Sequence, residues 1–96
     1  MRIIARKTLI EFWQQYPDAE MPLRAWFAEV SRAEWRNFAD VKQAFNSVDR
    51  VGERLVFNIG GNKFRLVALV DFQRHGVLIR FVGTHKQYDR IDAGTV

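Results

Sequence analysis

The spacing of apolar residues changes once along this 96-residue chain, near residue 54, and that change constrains the fold more than any other feature. Before it, apolar residues recur at helical spacing. After it, they alternate with polar ones, as in a half-buried strand. Helices followed by strands predict an α+β fold in a single domain covering residues 1–96.

The first half predicts one strand and two or three helices. Residues 1–6 predict a short strand, and a helix over residues 8–16 begins at a threonine that can cap it. A second helix begins near Pro22, residues 38–45 predict a further short one, and residues 46–52 a connection. The apolar stripes of the first two helices are Leu9, Phe12, Trp13 and Tyr16, then Leu23, Trp26, Phe27 and Val30.

The second half predicts a three-stranded antiparallel meander over residues 54–59, 62–72 and 77–82. With the N-terminal strand added, the expected architecture is an antiparallel sheet with two or three helices packed on one face. A two-residue turn at Gly60-Gly61 pairs Phe57 with Phe64. A four-residue loop over residues 73–76 pairs Ala68 with Phe81. Both registers turn the large apolar side chains toward the helices.

The opposite face of this sheet mixes polar and apolar side chains. Its polar members are Asn58, Lys63, Arg65 and Arg80, and its apolar members are Val67, Leu69, Leu78 and Val82. Either the C-terminal segment covers this face or a partner binds to it. We expect Thr84 to cap a last short helix or turn over residues 85–91, the tail 92–96 to fray, and Trp35 to be exposed as an interaction site.

Composition excludes several classes of protein. The chain has no cysteine and two histidines far apart in sequence, so we expect no disulfide, no bound metal and no cofactor. Its apolar runs are much shorter than a membrane span, and its N-terminus has no long apolar segment. We therefore expect a cytoplasmic protein without membrane contact.

Positive charge is concentrated in the strand half. The chain carries 15 Lys and Arg against 11 Asp and Glu, and six of these cations but only three of the acids lie from Lys63 onward. This distribution favours an anionic partner that binds to the second half.

The same half contains the groups for RNA cleavage without a metal. That reaction needs a base for the 2′-hydroxyl proton, an acid for the leaving 5′ oxygen, and cations that stabilise the phosphoryl charge. His85 is the well-placed side chain that changes charge near neutral pH. Arg65 and Arg80 can hold phosphate bidentately, nearby lysines can act as point charges, and Tyr88 can exchange a proton or stack on a base.

Each of these residues also has an ordinary structural explanation. A histidine after a strand is usually a capping or surface residue, and Lys63 or Arg65 on a solvated strand commonly only adds solubility. Gly60-Gly61 is more often a hairpin turn than a phosphate cradle. The candidate catalytic residues are His85, Arg65, Lys86 and Tyr88, and the candidate RNA-binding residues are Asn58, Asn62, Lys63 and Arg80.

Two segments resemble the HigB toxins of bacterial type II toxin–antitoxin systems, in the RelE-like superfamily. They are residues 57–67 (Phe-Asn-Ile-Gly-Gly-Asn-Lys-Phe-Arg-Leu-Val) and 84–89 (Thr-His-Lys-Gln-Tyr-Asp). The resemblance implies a RelE-like fold and a ribosome-dependent mRNA endoribonuclease, or mRNA interferase. It also implies three partners: mRNA on the ribosome, a HigA-like helix-turn-helix antitoxin, and operator DNA reached only through the antitoxin complex. The family motif marks Asn58, Gly60, Gly61, Asn62, Lys63, Arg65, Thr84, His85, Lys86, Tyr88 and Asp89.

Two other functions fit the same residues. The basic face suits a non-catalytic RNA- or ribosome-binding module, and the apolar residues beside it suit a protein-interaction domain. RelE-like toxins differ in which residue acts as the base, so we assign no acid or base role from the sequence.

Overall fold

A five-stranded sheet forms the centre of the computed structural model, which describes residues 1–96. In chain order the elements are β1 (Arg2–Ile4), α1 (Arg6–Gln15), a 3-10 turn (Pro17–Ala19), α2 (Glu20–Arg32), α3 (Phe38–Ala44), β2 (Asp49–Val51), β3 (Arg54–Ile59), β4 (Phe64–Asp71), β5 (Gly76–Thr84) and α4 (His85–Tyr88). The predicted α+β class, with helices packed on the sheet, is confirmed.

The strands lie in the order β1-β5-β4-β3-β2. The meander β3-β4-β5 is antiparallel as predicted, but β1 joins β5 in parallel, so the sheet is mixed. Residues 49–51, which were predicted to be part of a connection, instead form the edge strand β2 against β3. A three-residue strand is too short for the alternation of apolar residues to reveal it.

The helices bury their predicted stripes against one face of the sheet. Leu9 and Leu23 are fully buried, and α1 begins two residues before the expected cap at Thr8. Phe57 of β3 lies at the centre, with its ring edge-on to Trp26 at 5.5 Å and to Phe45 at 5.2 Å between centroids. Burying such side chains contributes about 1.5–3 kcal/mol each, so this face accounts for most of the stability.

The loop between β3 and β4 is longer than predicted. Ile59 pairs with Phe64, so residues 60–63 form a four-residue loop, with Gly60 and Gly61 both at positive φ. Phe57 consequently pairs with Leu66 and not with Phe64. The error is a slip of two residues along β4, and a slip of two leaves every side chain on its predicted face.

A β-bulge in β5 reverses two predicted orientations. Val67 pairs with Phe81 while Ala68 pairs with Ile79, so Arg80 is an extra residue in β5. Because one inserted residue exchanges the two faces, Phe81 turns away from the helices and Val82 turns toward them. The predicted pairing of Ala68 with Phe81 is wrong for a separate reason: the loop between β4 and β5 is residues 72–75, so Asp71 pairs with Gly76 and Ala68 pairs with Ile79.

The C-terminal tail covers part of the face opposite the helices. Ala93 is buried against Val56 and Val67, and Ile91 and Val96 pack beside them. The main-chain oxygen of Val96 accepts hydrogen bonds from Arg54 at 3.0 and 3.1 Å and from Arg80 at 3.2 Å. The prediction that the tail frays is wrong because these contacts tie it to the sheet.

The expected exposure of Trp35 is also wrong. Its side chain is 5% exposed and lies edge-on to Phe45, with 6.0 Å between ring centroids. The polar neighbours of Trp35 in sequence suggested solvent, but the segment between α2 and α3 turns this indole into the core. None of the helices has the length and apolar character needed to cross a bilayer.

Candidate functional site

The loop of residues 60–63 and helix α4 meet at one end of the sheet. Phe64 and Arg65 of β4 pair with Thr84 and Gly83 of β5, immediately beyond the loop. The main-chain N–H of His85 then donates to the carbonyl oxygen of Lys63 at 3.2 Å. The structure therefore brings together the two segments that the sequence places about twenty residues apart.

Arg65 is held in place by its neighbours. Its Nη2 donates to Asn62 Oδ1 at 2.8 Å, and its Nη1 donates to the main-chain oxygens of Phe64 at 3.3 Å and Asn62 at 3.4 Å. The guanidinium carbon also lies 5.9 Å from the ring centroid of Tyr88, a cation–π contact. Arginine oriented in this way loses little side-chain freedom when it binds a phosphate.

His85 opens α4 and remains accessible. Its side chain is 49% exposed, and Nδ1 lies 3.4 Å from Asp89 Oδ2, one helical turn away. The Asp89 carboxylate lies on the Nδ1 side of the ring, which leaves Nε2 as the nitrogen open to a substrate. The imidazole therefore lies at a solvent-accessible position next to the loop that presents Lys63.

A capping box fixes the start of α4. Thr84 Oγ1 accepts the Gln87 N–H at 3.2 Å, and Gln87 Oε1 accepts the Thr84 N–H at 2.8 Å. The predicted cap at Thr84 is confirmed, and the predicted helix or turn over residues 85–91 consists of a helix that ends at Tyr88 and a turn over residues 89–90. Gly83 makes room for this arrangement, since a Cβ there would lie 2.5 Å from Phe81 Cζ and 2.9 Å from Gln87 Oε1.

The other candidate residues differ in how close they lie to this centre. Asn58 pairs directly with Arg65 across β3 and β4, and Lys86 is exposed in the first turn of α4. Lys63 is exposed in the loop, with Nζ 3.7 Å from Asp18 Oδ2. These three side chains add polar groups and positive charge to the same end of the sheet.

Arg80 is the exception. It occupies the bulge of β5, near the middle of the sheet, and its Nε donates to the main-chain oxygen of Val96. Its guanidinium is thus engaged with the tail and not with Arg65 or Asn62.

The site is an open surface and not a cleft. The two cavities of the molecule lie elsewhere: one of about 680 Å³ beside Leu69, Phe72 and Leu78, and one of about 340 Å³ between α1 and α2. The structure also contains no group of three or more His, Cys, Asp or Glu side chains arranged to hold a metal ion. Open surfaces suit extended polymers better than small molecules, which usually bind in concave pockets.

Three residues near the site were not predicted from the sequence. Gln87 could have been found, because a glutamine three residues after a threonine is the signature of a capping box. Tyr16, whose hydroxyl accepts a hydrogen bond from Gln87 Nε2 at 3.4 Å, gave no signal. Asp18, which lies beside Lys63, gave none either. Both contacts, Gln87 with Tyr16 and Lys63 with Asp18, form only when α1 packs against the sheet.

Comparison with known proteins identifies the family. A model of the HigB toxins, described as the RelE-like toxic component of a toxin–antitoxin system, matches residues 19–91. The chain belongs to the HigB toxin family. The match includes the whole of β3, β4 and β5 together with α4, so it covers both segments that carried the resemblance.

Individual HigB relatives align over nearly the full chain. The mRNA interferase toxin HigB of Escherichia coli K12 is 34% identical over 92 residues, which cover 93% of this chain and 88% of the relative. An mRNA interferase HigB of Shigella flexneri gives the same values. Another, from Escherichia coli O6:H1, is 22% identical over 94 residues, or 95% and 91% of the two chains. As a HigB-family toxin, this chain has an antitoxin as its partner.

Proposed function

We propose that this HigB-family toxin is a ribosome-dependent mRNA interferase that cleaves messages without a metal ion and so inhibits translation. Relatives that are 34% identical carry the name mRNA interferase. The observation that carries the proposal is that the segments of Arg65 and His85 meet at one end of the sheet, through the pairing of Arg65 with Gly83 and the main-chain hydrogen bond from His85 to Lys63.

The chemistry is an attack of the ribose 2′-oxygen on the adjacent phosphorus. The 2′-oxygen–phosphorus bond forms, the bond to the 5′ oxygen breaks, and a 2′,3′-cyclic phosphate and a 5′-hydroxyl end result. One proton leaves the 2′-hydroxyl and one reaches the departing oxygen, and His85, Lys86 and Tyr88 supply the groups for these transfers. Arg65, oriented by Asn62, stabilises the negative charge that develops on the phosphoryl oxygens.

RNA binding uses the polar groups around this centre. Lys63, Asn58 and Asn62 contact the backbone or bases next to the cleaved bond, and Arg80 makes an outer phosphate contact. Exposed lysines give affinity that depends strongly on salt and little on sequence. The ribosome is therefore the component that places the message on this open surface.

Membership in the family supports our proposal for the remaining partners. A HigA-like helix-turn-helix antitoxin neutralises the toxin, and the pair reaches operator DNA only through the antitoxin. The toxin acts in the cytoplasm, where translating ribosomes are found. The single domain of residues 1–96 carries the whole cleavage site.

Replacing His85 or Arg65 by alanine tests this function. We expect each change to lower the cleavage rate by at least about 10²-fold and to relieve growth arrest, because each removes a group that acts on the reacting atoms. Cleavage is measured by mapping transcript 5′ ends after induction, and folding by circular dichroism. His75→Ala and Arg74→Ala, in the exposed turn between β4 and β5, are matched controls that should remain toxic.

The chemistry of the ends separates this proposal from its alternatives. Attack by the 2′-oxygen leaves 5′-hydroxyl ends, which ligate to an adapter only after phosphorylation by a kinase. Ends that carry a 5′-phosphate would instead indicate attack by water. Arrest of translation with intact messages would favour a binding module without catalysis, and full toxicity of both alanine variants would show that the site lies elsewhere.

A further inference from the structure

We propose that Gln87 and Tyr16 are positioning residues, which fix His85 relative to Arg65 without touching RNA themselves. This role rests on the proposed cleavage function. Gln87 lies within the segment of residues 84–89, between the candidate catalytic residues Lys86 and Tyr88.

The side-chain amide of Gln87 is already engaged at both ends. Its Oε1 accepts the main-chain N–H of Thr84 at 2.8 Å, and its Nε2 donates to the hydroxyl of Tyr16 at 3.4 Å. Its own main-chain N–H donates to Thr84 Oγ1 at 3.2 Å. A side chain whose donor and acceptor both bind the protein serves the geometry of the site more directly than it serves a ligand.

Helix α4 needs such support because it spans only four residues, His85–Tyr88. A helix this short does not form by itself, since nucleation is unfavourable and only a few hydrogen bonds follow it. Its position therefore depends on contacts with the rest of the fold. The main-chain bond from His85 to Lys63 supports one end of the first turn, and the capping box closes that turn.

Tyr16 connects this helix to the core. It follows the last residue of α1, its ring is stacked on Phe12 with 4.7 Å between centroids, and it meets the ring of Phe64 at 6.3 Å. Phe64 is itself the strand partner of Thr84. The Tyr16 hydroxyl, which accepts the hydrogen bond from Gln87 Nε2, is thus fixed by its packing on α1 and β4. Through Tyr16 and Gln87, the helices fix the position of α4 and therefore of His85.

Two substitutions at Gln87 separate positioning from RNA contact. Gln87→Met keeps the size but cannot form the capping box, whereas Gln87→Glu accepts from both the Thr84 N–H and the Tyr16 O–H. We expect Gln87→Met to lower kcat about tenfold with KM within about twofold, because the reacting groups are misplaced. Gln87→Glu should keep kcat within about twofold and raise KM, since its charge repels the phosphates.

Tyr16→Phe provides a second variant that keeps the packed ring and removes one hydroxyl. We expect it to lower kcat about threefold, in line with the loss of one weak hydrogen bond, and to leave KM and the melting temperature unchanged. Rates are measured on programmed ribosomes with saturating and limiting message. If Gln87→Met does not fold, this variant decides the question.

Three results would overturn the proposal: unchanged kcat in Gln87→Met, unchanged kcat in Tyr16→Phe, or an equal loss of kcat in Gln87→Glu and Gln87→Met. The parent chain is measured beside the variants, so that failure of the positioning role can be told apart from failure of the proposed function. If the parent does not cleave, the function is wrong. Hydrogen exchange of the Thr84 main-chain N–H, which loses its acceptor Gln87 Oε1 and should quicken in Gln87→Met, then still tests the geometry.

Discussion

The two faces of the sheet are covered in very different ways. On one face, three helices and the sheet enclose a core cluster of 17 buried residues. On the other face, the short C-terminal tail packs Ala93 against Val56 and Val67, which gives a cluster of only three buried residues. The candidate site lies beside this cluster, where β5 is followed by α4. The first face is built to hold the fold together. The second leaves polar groups accessible, so changes there should alter activity more than stability.

The largest expected effect is a loss of stability caused by a substitution in the core on the first face. Phe57→Ala should lower the free energy of unfolding by about 3–5 kcal/mol, because it leaves a cavity next to Trp26 and Phe45. Denaturant unfolding measures the loss. Phe81→Ala makes the same chemical change on the other face, where Phe81 is only half-buried beside Tyr88. Equal losses in the two variants would contradict the division between the faces.

Gly83→Ala sharpens the comparison by making a small change where the second face meets the site. The added methyl would lie 2.5 Å from Phe81 Cζ and 2.9 Å from Gln87 Oε1, so the Phe81 ring and the Gln87 side chain must shift, which disturbs the capping box of α4. We expect about 1–3 kcal/mol of destabilisation from this overpacking and at least a tenfold loss of cleavage. Unfolding and single-turnover cleavage are measured on the same samples.

Gly76→Ala is the matched control for this change. Gly76 lies at the other end of β5, and a Cβ there would meet nothing within 4 Å. Stability and cleavage should both stay near those of the parent chain. A loss of cleavage as large as that of Gly83→Ala would show that β5 does not tolerate a side chain at either end. The close approach of Phe81 and Gln87 to Gly83 would then not be the cause of the loss in Gly83→Ala.

The difference between the faces also explains what the sequence could predict. The stripes of α1 and α2 and the alternation in β3 are repeated signals, because each apolar residue packs against the same large core. The paired segments of Arg65 and His85 could be brought together because adjacent strands of a meander place their ends side by side. Periodicity and hairpin order therefore sufficed for the α+β class, for the antiparallel meander and for placing the two candidate segments at one end of it.

The errors lie where one residue decides the outcome. The extra residue Arg80 in the bulge exchanged the faces of Phe81 and Val82, and no repeat in the sequence marks it. The tail has too few apolar residues to show a period, so its packing through Ala93 was missed. Trp35 was misjudged because its burial depends on how the chain turns between two helices. In each case the deciding contact is tertiary.

The smallest expected effects concern the exposed pair of Lys63 and Asp18, which link the site loop to the turn after α1. Their charged atoms lie 3.7 Å apart, and the side chains are 66% and 79% exposed, so water screens the attraction. Asp18→Asn should leave the melting temperature unchanged and improve cleavage at low salt by about twofold, because Lys63 is released to bind phosphate. The gain should disappear at high salt.

Lys63→Ala is the partner measurement, since it removes the cation and leaves the carboxylate. If Lys63 binds one phosphate, this variant weakens RNA binding and reduces the slope of log affinity against log salt by about one, whereas a purely structural ion pair would leave the slope unchanged. Asp18→Asn and Lys63→Ala should then shift cleavage in opposite directions at equal stability. Changes of the same sign would mean that the pair stabilises the loop, and that the second face shares in holding the fold together.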